Sequence, residues 1–494
     1  MTVFTAMILL LVASLLFTLL ESARVSGLHA KAEMNAMLCT DSAFAEYDAT
    51  LFENYDLLFL DLGYGNGAIE LSKLKERMLE LGQENLNPKK RLLSGSEANL
   101  YRMNVIQAVM EEYELATDDG GNAFYRQVTE TAKRELPEAM AEHVLGEIGD
   151  TTDVSTAVEN PESGVNEANG AITQARAQKS EEDRAKQERG EAVEPLPDVE
   201  NPIEFMMTLK TSGILALVTE QPQELSAKEM DLSDALYKRE LQKGTAAVGE
   251  NEGAFDRVWY QMYLSNHFGC YTEQKENRVL DYELEYMIGG KSSDKENLES
   301  VVNRLLVARE AANVFYLLQD ATKMEEALGV ATALVGFTGN PIAVELVKAG
   351  IVAAWAYVES ILDIRTLLAG GKIALVKTQA DWVTDILHIS ESFANAGGAR
   401  ENENGLAYGA YLQEMLFLQN KSELNFRVMN LMEKNVRVLC ANEKWRMDSM
   451  AQEMKVVFTY EAHPLFFRLV TIGNIQNNAY TIEEKQQISY LNSK

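Results

Sequence analysis

Residues 57–67 read LLFLDLGYGNG: an apolar run, then Asp61, then Gly63, Gly65 and Gly67 at alternate positions. A strand, an acid and a glycine turn opening a helix form the local pattern of a nucleotide or S-adenosylmethionine cradle, where backbone amides meet the ligand. Such a cradle would make the chain a doubly wound α/β methyltransferase. The surroundings decide against it. A doubly wound sheet needs strands alternating with helices, and a second strand ending in an acid about 20 residues on. That window reads GQENLNPKKRLLSG, with Glu84 but no strand. The glycines are therefore read as turn chemistry after a strand at 55–62. The fold is read as α+β and predominantly helical, and Asp61 is left without a role.

The chain before that strand is an anchor rather than a domain. Residues 3–20, VFTAMILLLVASLLFTLL, carry no charge. As a helix they span roughly 27 Å, against a hydrocarbon core of about 30 Å. No basic residue precedes the run, and the nearest small-residue cleavage pattern, Ala30-Lys31-Ala32, lies far behind it. The expectation is an uncleaved, single-pass membrane anchor over 1–20. Val25, Leu28, Ala32, Ala36 and Cys39 keep helical spacing, so the helix continues outward as a rod. Arg24 and Lys31 are the only nearby bases, and by themselves they would place the bulk of the chain in the cytoplasm.

Beyond the anchor, 21–148 is read as a membrane-proximal helix and the first part of an α+β domain. It holds a helix from Leu71 that Gly82 stops, and helices over 96–115 and 122–147. Residues 149–201 hold three of the nine prolines, with Pro202 just beyond, and no aromatic residue, and are read as a disordered insert. Residues 202–494 form the helix-rich remainder of the domain. Phe255, Val258, Trp259, Met262 and Tyr263 mark a helix ending near Gly269, and 323–337 with 342–369 read as a buried helical hairpin. Two segments alternate like half-buried strands, 279–288 (VLDYELEYMI) and 455–460 (KVVFTY). Together with 55–62 they are expected to build a small antiparallel sheet.

Composition narrows the function classes. With 75 acids against 45 bases, a net charge of −30 repels phosphate backbones, so no nucleic-acid partner is expected. Three cysteines and five histidines show neither CxxC nor HExxH, and no metal or cofactor is expected. GGKS at 289–292 and GGK at 370–372 fail as phosphate loops, because Glu285 replaces the required glycine and Ile373 the required Ser or Thr. Glu359 and Asp363 share a helix face. Such a pair can do acid–base work or bind a metal, and is read instead as a structural ion pair with Arg365 or Arg309.

MTVFTAMILLLVASLLFTLLESAR, an apolar span starting in TVF and ending in Glu21-x-x-Arg24, resembles the anchor of Tad-type (Flp) pilus pseudopilins. The chain is similar to an uncharacterised, TadE-like family of anchored proteins of Gram-positive bacteria, associated with such pilus or secretion clusters. AEYDATLFENYDLLFLDLGYG, ELEYMIGGKSSDKENLESVVNRLLVAREAAN and AWAYVESILDIRTLLAGGKIALVKT extend the resemblance. Two departures stand out: no basic leader ending in glycine is seen ahead of the run, and Thr5 occupies the place of the usual early acid. The resemblance implies a non-enzymatic, extracytoplasmic structural or accessory component, partnered by the membrane and by pilin-like or secretion-system proteins. Glu21 and Arg24 would lie at the membrane interface, available to pair across an assembly. An anchored sensor or ligand-binding module is the alternative, and a methyltransferase the lesser one.

Overall fold

The computed structural model describes residues 2–86, 101–137, 164–247, 255–465 and 479–492, together with 146, 162, 249, 253, 475 and 476. It has the α+β, predominantly helical class expected, with a small antiparallel sheet and a long apolar N-terminal helix. Its strands are β1 (Leu60–Asp61), β2 (Met103–Leu115), β3 (Lys372–Ile373), β4 (Leu406–Ala407), β5 (Met450–Ala462), β6 (Ile475–Gln476) and β7 (Ala479–Ser489). The chain divides into two compact units.

The first unit comprises 1–134, 234–253 and 428–494. Its centre is β5, which pairs antiparallel with β1 and β2 on one side and with β7 on the other. Along β5 the side chains of Met454, Val456, Phe458, Tyr460 and Ala462 are fully buried, while Lys455, Val457, Thr459 and Glu461 are half-buried. The buried face is covered by the second half of the N-terminal helix Thr2–Phe44 and by the helix Leu71–Leu86. Leu28, Ala32, Ala36, Cys39 and Ala43 form the packed stripe, small enough for close approach. Asn35 knits the layers, donating to the Gly82 carbonyl at 3.1 Å and accepting from the Tyr460 hydroxyl at 3.0 Å. Gly82 does not stop its helix, which runs on to Leu86. A Cβ there would press on Val105 and Cys39, so its glycine serves packing. Arg239 returns the 234–253 excursion to this unit through Glu433 at 2.8 Å and Asp448 at 2.7 Å.

Two expectations about the sheet are corrected. The strand expected over 55–62 shrinks to Leu60–Asp61, since 49–55 is a short helix capped by Asp48. The segment expected as a helix at 96–115 is strand β2 from Met103, with 96–100 outside the described residues. Register shifts at Val105/Gln107, Met110/Glu112 and Glu114/Leu115 insert extra residues, so its buried positions (103, 105, 108) step by two and three and mimic helical spacing. The expected helix at 122–147 is the Asp118–Glu135 helix, and most of 138–147 lies outside the described residues.

Among its described residues the second unit, 135–233 and 254–427, is built mainly of helices, with the two-residue ladder β3–β4 and two isolated bridges, Glu229 to Ser293 and Cys270 to Glu273. The expected hairpin is present as Ala321–Val335 and Pro341–Leu368, and Asp294–Gln319 packs on the latter. Pro341–Leu368 is long and apolar enough to cross a membrane, yet Gly350 through Ile364 is buried within the unit. The half-buried strand expected at 279–288 is instead a helix, Glu283–Gly289. Its alternation misled because both faces are buried from Tyr282 to Ile288. Glu283 accepts the Gly269 amide at 2.9 Å and Glu285 accepts the Tyr271 amide at 2.8 Å, both acids being fully buried.

The disordered insert expected over 149–201 is also corrected. Residues 165–188 form a helix whose Val165, Ala168, Ile172 and Ala175 are buried against Pro341–Leu368, while 149–161 lies outside the described residues. Gly350 makes the contact close, because a Cβ there would collide with Ala168. One narrow apolar stripe suffices, so the segment's polar composition reflects its solvent faces.

Candidate functional site

The N-terminal helix is built of two unlike halves. From residue 2 to residue 20 every side chain is exposed or nearly so, including Phe4, Leu9, Leu10, Leu11, Leu15 and Leu19. At Glu21 burial begins abruptly. Glu21 and Arg24 are only 4% and 7% exposed and pair with each other at 2.7 Å. The Arg24 guanidinium also donates to the carbonyls of Tyr101 at 2.6 Å and His463 at 2.9 Å, and the Leu465 amide donates to the Glu21 carboxylate at 3.3 Å. A buried pair leaves neither charge uncompensated, and its extra hydrogen bonds offset desolvation. The two residues singled out in the sequence thus meet at one place. They clasp the end of the apolar span to the margin of the sheet, within a single chain.

The glycine turn is closed by the chain itself. The Asp61 carboxylate accepts the Gly63 amide at 2.8 Å, the Gly65 amide at 2.6 Å and the Ser449 hydroxyl at 2.8 Å. Gln242 accepts the Ile69 amide and donates to the Gly67 carbonyl, each at 2.8 Å, while Asn442 donates to the Gly65 carbonyl. Gly65 and Gly67 have φ of +76° and +77°, and a Cβ on Gly67 would collide with the Lys444 carbonyl. The amides that would cradle a cofactor are spent on Asp61, whose role is to hold the turn.

Glu359 and Asp363 sit in a fully buried quartet with Arg309 and Lys377. Arg309 pairs with Asp363 at 3.0 Å, and Lys377 bridges Asp363 at 2.6 Å and Glu359. Asn313 donates to Asp363, while the Val383 and Thr384 amides and the Thr384 hydroxyl donate to Glu359. Burial alone would raise the Asp363 carboxyl, but the charges of Lys377 and Arg309 outweigh it and hold the pKa below its ordinary value. Two acids meet two bases, so the group is neutral and its carboxylates are committed, as an ion-pair lock requires. Arg309 is the partner foreseen. Arg365 is not in this group, and Lys377, fourteen residues beyond Asp363, gave no periodic signal to find it.

Glu310 is a different case. It is buried beside Glu162, and burial first, then that neighbour's charge, push its pKa up to about 8, with Lys210 partly offsetting. The folded carboxyl keeps its proton to about pH 8, whereas the unfolded one loses it near 4.5. Raising the pH through that interval therefore favours unfolding, by up to ~1.4 kcal/mol per pH unit. A thermal-melt series from pH 5 to about 8 should show this decline, and Glu310→Gln should make it shallower, the remainder coming from Glu285 and Glu414, whose burial raises each to about 7.

The fold and these sites define an α+β protein with an apolar N-terminal helix long enough to span a membrane. Residues 193–462, more than half of the chain, match a family of unknown function, DUF5702, and the protein belongs to that family. No curated protein and no solved structure matches the chain.

Proposed function

We propose that the protein is a membrane-anchored, non-enzymatic structural or accessory component of a Tad-type pilus or secretion assembly, pseudopilin-like in plan. The observation that supports this reading is the division of labour in the N-terminal helix. A nineteen-residue stretch without a charge, fifteen of its side chains apolar, faces the surroundings, and the same helix then packs through a small-residue stripe onto an antiparallel sheet. In water the bare half would be a grave liability, whereas in a bilayer it is stored at no cost and is available to neighbouring helices. The bulk of the chain is proposed to be extracytoplasmic. The Glu21–Arg24 clasp sits at the interface and fixes the span to the first unit, so a pull on the anchor is transmitted to the sheet.

Photo-crosslinking in cells tests this reading. A crosslinker at Leu9 or Ser22 is expected to yield adducts with other helix-anchored pilin-like or secretion subunits, identified by mass spectrometry. Adducts with lipid alone at both positions would refute it.

A further inference from the structure

The second unit carries a cleft that the proposed assembly role does not use. It has two adjoining lobes of about 640 and 500 Å³, which share Val218, Thr219, Glu220, Arg365 and Ala369. Volumes of roughly 300–1,000 Å³ are usual for small-ligand sites. Every lining residue lies within the stretch that matches the family.

Arg365 is the telling residue. It is half-buried on the Pro341–Leu368 helix, and its guanidinium stands over the Phe393 ring at 4.5 Å. Its Nε donates to the Leu217 carbonyl at 2.7 Å and its Nη1 to the Ala396 carbonyl at 3.2 Å. Among the described residues no carboxylate pairs with it, in a chain where acids outnumber bases by 75 to 45. Burial accordingly lowers its pKa with no neighbouring charge to compensate. A guanidinium fixed by carbonyls and a ring on the lining of a cleft is preorganised for a carboxylate.

A simple anion does not fit the rest of the lining. Glu220 borders both lobes, is exposed, and forms no ion pair among the described residues. Glu224 borders one lobe and Glu401 the other. Three acids and one base repel a bare anion, and a bare cation would leave the unpaired guanidinium uncompensated, whereas a ligand carrying both charges meets Arg365 and an acid at once. Tyr271 and Tyr282 stack edge to face at 5.4 Å along one wall, offering an aromatic surface beside Glu220. We propose that this cleft binds a small zwitterion of the amino-acid or short-peptide class, its carboxylate on Arg365 and its ammonium on Glu220. The site does not depend on the assembly role, because binding is read on the isolated protein.

The test is calorimetric titration of the full-length chain in detergent micelles with L-alanine, L-glutamate, L-lysine and trialanine. Acetate and ethylamine serve as single-charge controls. At least one zwitterion is expected to saturate with a Kd at or below about 1 mM, and the controls to bind at least about tenfold more weakly. Arg365→Gln and the surface change Glu220→Gln should each weaken that zwitterion about tenfold or more, with the melting temperature of Glu220→Gln unchanged. The proposal is overturned if no zwitterion saturates by about 10 mM, if acetate binds equally well, or if Glu220→Gln leaves the affinity intact.

Discussion

Lys377→Met is expected to destabilise the second unit by about 3–5 kcal/mol, because it leaves two buried carboxylates facing one guanidinium. Lys377, Glu359, Asp363 and Arg309 are each at most 1% exposed, so water cannot enter to compensate. Arg309 reaches Asp363 but makes no bond to Glu359, which would keep only the Val383 and Thr384 amides and the Thr384 hydroxyl. Denaturant unfolding of the full-length protein measures the loss. Adding Glu359→Gln to Lys377→Met restores neutrality and should recover part of it, a coupling that a double-mutant cycle isolates. A loss below about 1 kcal/mol from Lys377→Met would show that the quartet is not the lock described.

The second large effect concerns the N-terminal helix. Deleting Thr2–Phe44 is expected to unfold the first unit. Leu28, Ala32, Ala36, Cys39, Ala43 and Phe44 share one buried cluster with Met454, Val456, Phe458 and Tyr460. Phe44 also rests on the Tyr490 ring at 4.8 Å, and its carbonyl accepts the Tyr490 hydroxyl at 2.6 Å. Each large apolar side chain lost forfeits about 1.5–3 kcal/mol, and the exposed sheet face adds more. The sum rivals the whole stability of a domain, about 5–15 kcal/mol. Deleting only Thr2–Leu20 removes no buried side chain and should leave the unit folded.

Much of this was readable in the sequence, for reasons that individual residues make plain. The apolar span announced itself by length, and Leu28, Ala32, Ala36 and Cys39 by helical spacing. β5 showed its clean alternation because one face is covered and the other is half-open. β2 hid because three register shifts broke its period. Glu283 and Glu285 mimicked a solvent face while being fully buried acceptors. Val165, Ala168, Ile172 and Ala175 were too small a stripe to stand out in polar sequence. Of the site residues, Glu21 and Arg24 were visible through their place at the end of the span, but not their pairing with each other. Arg365 was invisible as a site, since its meaning lies in the absence of an acid near it among the described residues.

The central claim is that one helix is anchor in its first half and core in its second. Fractionation of cells expressing the full chain and a Thr2–Leu20 deletion, with carbonate extraction and a melting curve on the deleted form, tests it most directly. The account predicts a carbonate-resistant full chain and a soluble, cooperatively melting deletion. A deletion that stays in the membrane, or one that is soluble but unfolded, would contradict it.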